Sequence, residues 1–73
     1  MRILVRSPLL ADRVRETLES YDADDGSFTF IETAGGGMVF EVTGTDDGVA
    51  LAKSTIRSTD FGKGLFFSVV EAS

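Results

Sequence analysis

Asp22, Asp24, Asp25 and Gly26, with Glu32 after them, come nearest in this chain to a group with chemistry in it, because clustered carboxylates ahead of a glycine bind calcium. A calcium loop of the form D-x-D-x-D-G places glycine sixth and a bidentate glutamate twelfth; counted from Asp22, Gly26 is fifth and Glu32 eleventh. The cage is one residue short and runs into a strand instead of a helix. The cluster therefore reads as a solvated turn, the ordinary use of Asp and Gly. Ser7 and Thr45 are candidate nucleophiles only with a base beside them, and the sequence contains no His and no Cys. Both read as helix caps instead. Asp46 and Asp47, a paired carboxylate, are explained by the dipole of the helix that follows them.

Two glycine groups, Gly35-Gly36-Gly37 and Gly62-Lys63-Gly64, are short enough to cradle a phosphate, but neither has P-loop spacing and neither opens a helix. They read as turns. Lys63-Gly64-Leu65-Phe66-Phe67-Ser68-Val69 resembles the basic-glycine-aromatic strand of an RNA recognition motif, in which the stacking aromatics lie on the third strand and on the open face. Here the segment falls on the last strand, and Leu65, Phe67 and Val69 point toward the helices. Twelve acidic residues against seven basic ones, a net charge of −5, also repel a phosphate backbone. No nucleic acid, anionic membrane, metal or cofactor is expected.

At 73 residues the chain is one domain, residues 1–73, near the lower size at which a core forms without staples. A hydrophobic content of 42% with six Phe excludes a disordered tail, and no apolar run approaches the roughly 20 residues of a membrane span. A strand that begins at Met1-Arg2 and meets Pro8 leaves no room for a signal peptide, which leads us to expect a cytoplasmic protein.

The elements follow from periodicity. Arg2 to Arg6 is a short strand ended by Ser7-Pro8, where serine caps and proline opens a helix running to about Tyr21, with Leu10, Val14, Leu18 and Tyr21 as its apolar stripe. An acidic loop over 22–26 leads to a strand from Phe28 to Thr33, and Ala34-Gly35-Gly36-Gly37 turns the chain into a strand from Met38 to Thr43. Thr45 caps a second helix, with Asp46 and Asp47 in its first turn and Gly48, Leu51, Ala52, Thr55 and Ile56 on its inner side. A loop over 60–64 precedes the last strand, Leu65 to Val70.

The order strand, helix, strand, strand, helix, strand with right-handed crossovers predicts an α+β ferredoxin-like plait: a four-stranded antiparallel sheet in spatial order 4-1-3-2 with both helices on one face. Alternation assigns Ile3, Val5, Phe28, Phe30, Met38, Phe40, Val42, Leu65, Phe67 and Val69 to the helix side. The opposite face receives Arg2, Leu4, Arg6, Thr29, Ile31, Thr33, Val39, Glu41, Thr43, Phe66, Ser68 and Val70. Leu4, Ile31, Val39, Phe66 and Val70, drawn from all four strands, form an apolar patch on a face that a lone monomer keeps polar. Arg2, Arg6 and Glu41 form its charged rim as cross-strand pairs.

These readings lead to a small non-catalytic module that self-associates, as a dimer, or binds a protein partner through the open sheet face. The second expectation is a small-molecule sensor with its ligand at the dimer interface near Arg2, Arg6 or the Gly35–Gly37 turn. An amino-acid-sensing domain of the ACT kind is the nearest fold-level analogy. That family carries a glycine-containing turn after its first strand, where this chain has Ser7-Pro8, so no family membership follows.

Overall fold

The computed structural model describes residues 1–72. β1 (Arg2–Arg6) leads to α1 (Ala11–Ser20), a two-residue strand β2 (Asp22–Ala23), β3 (Gly26–Ala34), β4 (Gly37–Thr43), α2 (Gly48–Arg57), a 3-10 turn over Gly62–Gly64 and β5 (Ser68–Glu71). The strands make one open antiparallel sheet in the order β2-β3-β4-β1-β5. Val14 and Leu18 of α1 and Ala52 and Ile56 of α2 join Ile3, Val5, Phe28, Met38, Phe40, Val42 and Val69 in a single buried cluster, so both helices lie on one side of the sheet. Phe30, Leu65 and Phe67 pack against its margin. All ten strand residues assigned to the helix side by alternation are there.

The α+β class and the two helices agree with the sequence reading; the sheet has five strands instead of four. The additional strand is Asp22–Ala23, placed by the sequence in a loop, which pairs with Ser27 and Gly26. Asp24 and Asp25 form the tight turn that reverses the chain, and the Tyr21 hydroxyl donates to Asp25 Oδ1 at 2.6 Å. A turn this short brings its flanking backbones within pairing distance, so the residues next to it complete a hairpin.

Both helix starts differ from expectation. Pro8 lies outside α1: the Ser7 hydroxyl donates to the Leu9 carbonyl, and Leu10 occupies the N-cap position at φ 58° and ψ 31° without a side-chain cap. The helix layer lies over the sheet, packed on it through the buried cluster. Residues 7–10 are used to climb between them, and Leu10 turns the chain in the left-handed region at a cost of about 1–2 kcal/mol. Leu10 is consequently exposed instead of heading the apolar stripe. In α2 the cap is Asp47, whose carboxylate accepts from the Ala50 amide at 3.0 Å; Thr45 Oγ1 accepts from the Asp47 amide, one step earlier. Asp46 and Asp47 therefore precede the first turn. The inner residues of α2 are as expected, with Gly48, Ala52, Thr55 and Ile56 buried and Leu51 half-buried.

The last strand begins at Ser68, not Leu65, because Leu65 is the cap of the 3-10 turn and Leu65–Phe67 run without ladder pairing. Phe66 and Phe67 therefore precede the sheet instead of lying in it.

Candidate functional site

The face turned away from the helices is organised by strand register into rows. Leu4 pairs with Val39 on one side and with Val70 on the other, and Val39 faces β3 where Ile31 and Glu32 together oppose it. Val70, Leu4, Val39 and Ile31 thus form one continuous apolar line across β5, β1, β4 and β3. Val39 sits in the middle and is buried, Leu4 is half-buried, and the two ends are open, Ile31 at 39% and Val70 at 46% exposure. Four of the five expected patch residues are brought together. Phe66, 87% exposed, lies beyond the row at the entry to β5.

The row above is charged. Arg2 pairs with Glu41, and Glu41 with Thr29. Arg2 Nε donates to Glu41 Oε1 at 3.3 Å, and the amino group of Met1 donates to Glu41 Oε2 at 3.0 Å. These two cations hold the Glu41 carboxyl below its ordinary pKa, with the amino-group hydrogen bond the larger influence. Arg6 lies on the other side of the apolar row, opposite Ser68. Among the described residues it reaches no carboxylate; its Nε donates to the Gly35 carbonyl at 3.1 Å. Arg2 and Glu41 form the expected cross-strand pair, and Arg6 is a backbone-held cation instead.

The face assignment fails at one point. A register shift between Phe30 and Glu32 puts two residues of β3 against one of β4, so Glu32 opposes Val39 and Thr33 opposes Met38. A bulge reverses the alternation beyond it. Glu32 therefore takes the open-face position assigned to Thr33, and Thr33 lines the helix-side groove with Phe30 and Met38. A single inserted residue leaves no mark on a run of alternating Thr, Phe and Ile, so no sequence signal places it.

The turn between β3 and β4 is built from Gly35 and Gly36, at φ 57° and 76°. Two successive positive φ values are what a two-residue hairpin turn requires. Gly37, at the start of β4, is buried: a Cβ there falls 2.6 Å from the Val5 carbonyl oxygen and 2.8 Å from Arg6 Cγ. Its missing side chain lets Leu4 and Arg6 lie across the hairpin.

The other candidates are occupied by structure. Asp25 accepts from Tyr21, and Asp22 is in β2, so the calcium-like spacing is taken up by a hairpin. Among the described residues no three acidic side chains converge. An open groove of about 650 Å³ runs between the helices past Arg13, Glu16, Tyr21 and Phe61, but two of its hydroxyls, Ser58 and Thr59, already donate to the carbonyls of Thr55 and Ile56. Among the described residues no helix is long and apolar enough to cross a membrane. Comparison of the chain with protein-family models, with curated proteins and with solved structures gives no match.

Proposed function

We propose that this domain is a non-catalytic self-association module, a ferredoxin-like plait with β2 as an added edge, whose open sheet face docks on a second copy of itself. The observation that carries it is the apolar row Val70, Leu4, Val39, Ile31, spanning four strands on the face that no helix covers. Clustered apolar residues in that position mark an interaction surface.

The choice of a second copy rests on the pattern of the rows. A two-fold axis parallel to the strands and running between β1 and β4 exchanges β1 with β4 and β5 with β3. The apolar row then meets its own reverse, Leu4 over Val39 and Val70 over Ile31. In the charged row, Arg2 of each copy falls over Glu41 of the other. A surface that complements itself under a two-fold is the requirement of an isologous dimer, and face-to-face sheets pack at about 10 Å. Glu32 shares the β3 end of the row with Ile31 and is exposed. The slab measures 27 × 25 × 16 Å. Its broad side is therefore wide enough to seat a second copy of the same sheet face.

The test is light scattering after size-exclusion chromatography. The wild-type chain is expected as a dimer. Arg2→Glu sets a carboxylate against the partner's Glu41, and Glu41→Arg sets a guanidinium against the partner's Arg2, so each variant alone should be monomeric. Their equimolar mixture restores two opposite-charge contacts and should give a heterodimer. A wild-type monomer at high micromolar concentration overturns the proposal.

A further inference from the structure

We infer that Phe66 of one copy stacks on the Arg6 guanidinium of the other, over the bare glycine turn of that partner; the inference rests on the face-to-face pairing proposed above. Among the described residues, arginines and phenylalanines are consistently matched. Arg13 lies over Phe61, Arg15 over Phe30 and Arg57 over Phe67, with 5.9, 3.7 and 5.3 Å from guanidinium carbon to ring centre. Phe28 packs on Tyr21, and Phe40 packs edge-on against Phe30. Arg2 is paired with Glu41. What remains among the described residues is one phenylalanine ring, Phe66, 87% exposed, and one arginine, Arg6, held by the Gly35 carbonyl and by no carboxylate or ring.

Within one molecule they do not meet, because Arg6 leans away from β5 toward the β3–β4 turn. The two-fold exchange removes that separation. Phe66 lies two residues ahead of Ser68, which pairs with Arg6, so it sits at the end of the sheet where the β3–β4 turn also lies. Exchanging β5 with β3 carries Phe66 onto the partner's turn. That turn presents two glycines, and the space a side chain on Gly36 would take is clear of other atoms to 4 Å. The exposed Phe66 ring of one copy thus faces a bare glycine turn of the other, with a guanidinium fixed on it by a backbone hydrogen bond. A ring over a cation is attractive, by about 0.5–1 kcal/mol when exposed and more when water is excluded.

The experiment is a double-mutant cycle on the dimer dissociation constant, measured by sedimentation equilibrium for Phe66→Ala, Arg6→Gln and the double variant. Both side chains are exposed, so the fold should be kept, with circular dichroism as the check. Each contact occurs twice per dimer, so each single variant should raise the dissociation constant by about tenfold. The double variant should be no weaker than the weaker single one, and Phe66→Tyr, which keeps the ring, should match the wild type. A dimer that persists with unchanged or additive effects overturns this contact and leaves the face-to-face dimer standing. A wild-type chain that does not dimerise overturns both.

Discussion

Leu4 of β1 and Val39 of β4 face each other across the open side of the sheet, yet only Val39 is buried, at 8% exposure. Both have neighbours on two flanks, Val39 between Leu4 and the doubled Ile31–Glu32 position and Leu4 between Val39 and the edge residue Val70, and Leu4 leans toward Gly37, its Cδ1 only 3.1 Å from where a Cβ there would lie. The helix-free side therefore has a small closed centre of its own, and its open ends are available to a partner.

This relationship separates stability from association. Val39→Ala removes buried methyl groups and should lower unfolding free energy by about 1–2 kcal/mol in urea denaturation. Val70→Ala, on the edge strand and 46% exposed, should change stability by less than about 0.5 kcal/mol while weakening the dimer in sedimentation.

Glu41 sets an acid limit on the fold. Its carboxyl is held below the ordinary value by the Met1 amino group and Arg2. A carboxylate with a lowered folded-state pKa contributes stability that is complete above its unfolded value of about 4.5 and is lost as pH falls through the lowered one. Denaturation midpoints followed from neutral pH into the acid range should decline in that window, and Glu41→Gln should flatten this part of the decline.

Tyr21 gives the opposite sign. Its hydrogen bond to Asp25, assisted by desolvation and by the charge of that carboxylate, raises its pKa above 10.0. A group whose folded pKa is raised stabilises the fold below its unfolded value and loses that contribution as pH rises through the folded one. The chain has one Tyr and no Trp, so tyrosinate absorbance reports this residue alone. Asp25→Asn should shift the titration to lower pH.

Gly62 and Gly64 flank Lys63 in one 3-10 turn but are not equivalent. A Cβ on Gly62 would lie 1.8 Å from the Ile56 carbonyl oxygen, at the end of α2, whereas a Cβ on Gly64 meets nothing within 4 Å. Gly62→Ala must displace backbone and should destabilise by more than about 2 kcal/mol in thermal or chemical unfolding. Gly64→Ala should be neutral or stabilising by up to about 1 kcal/mol, since it mainly restricts the unfolded chain.

The elements and the sides of the sheet were legible because alternation of period two and stripes of period 3.6 are local properties. Ile3, Val5, Met38, Phe40 and Val42 could occupy only one side of a strand, and Ala52, Thr55 and Ile56 only one side of a helix. The same alternation marked Leu4, Ile31, Val39 and Val70 for the open face. That these four stand in one row, and that Arg2 meets Glu41, depends on strand register, which the residues within a single strand do not contain. Local signals misled where a longer-range demand was stronger. Ser7-Pro8 is good helix-start chemistry, but the climb from sheet to helix layer needed those residues as a connection. The Ile31 bulge, which trades Thr33 for Glu32, and the reach of Arg6 to Gly35 were likewise decided only by tertiary structure, because each is set by atoms far away in the chain.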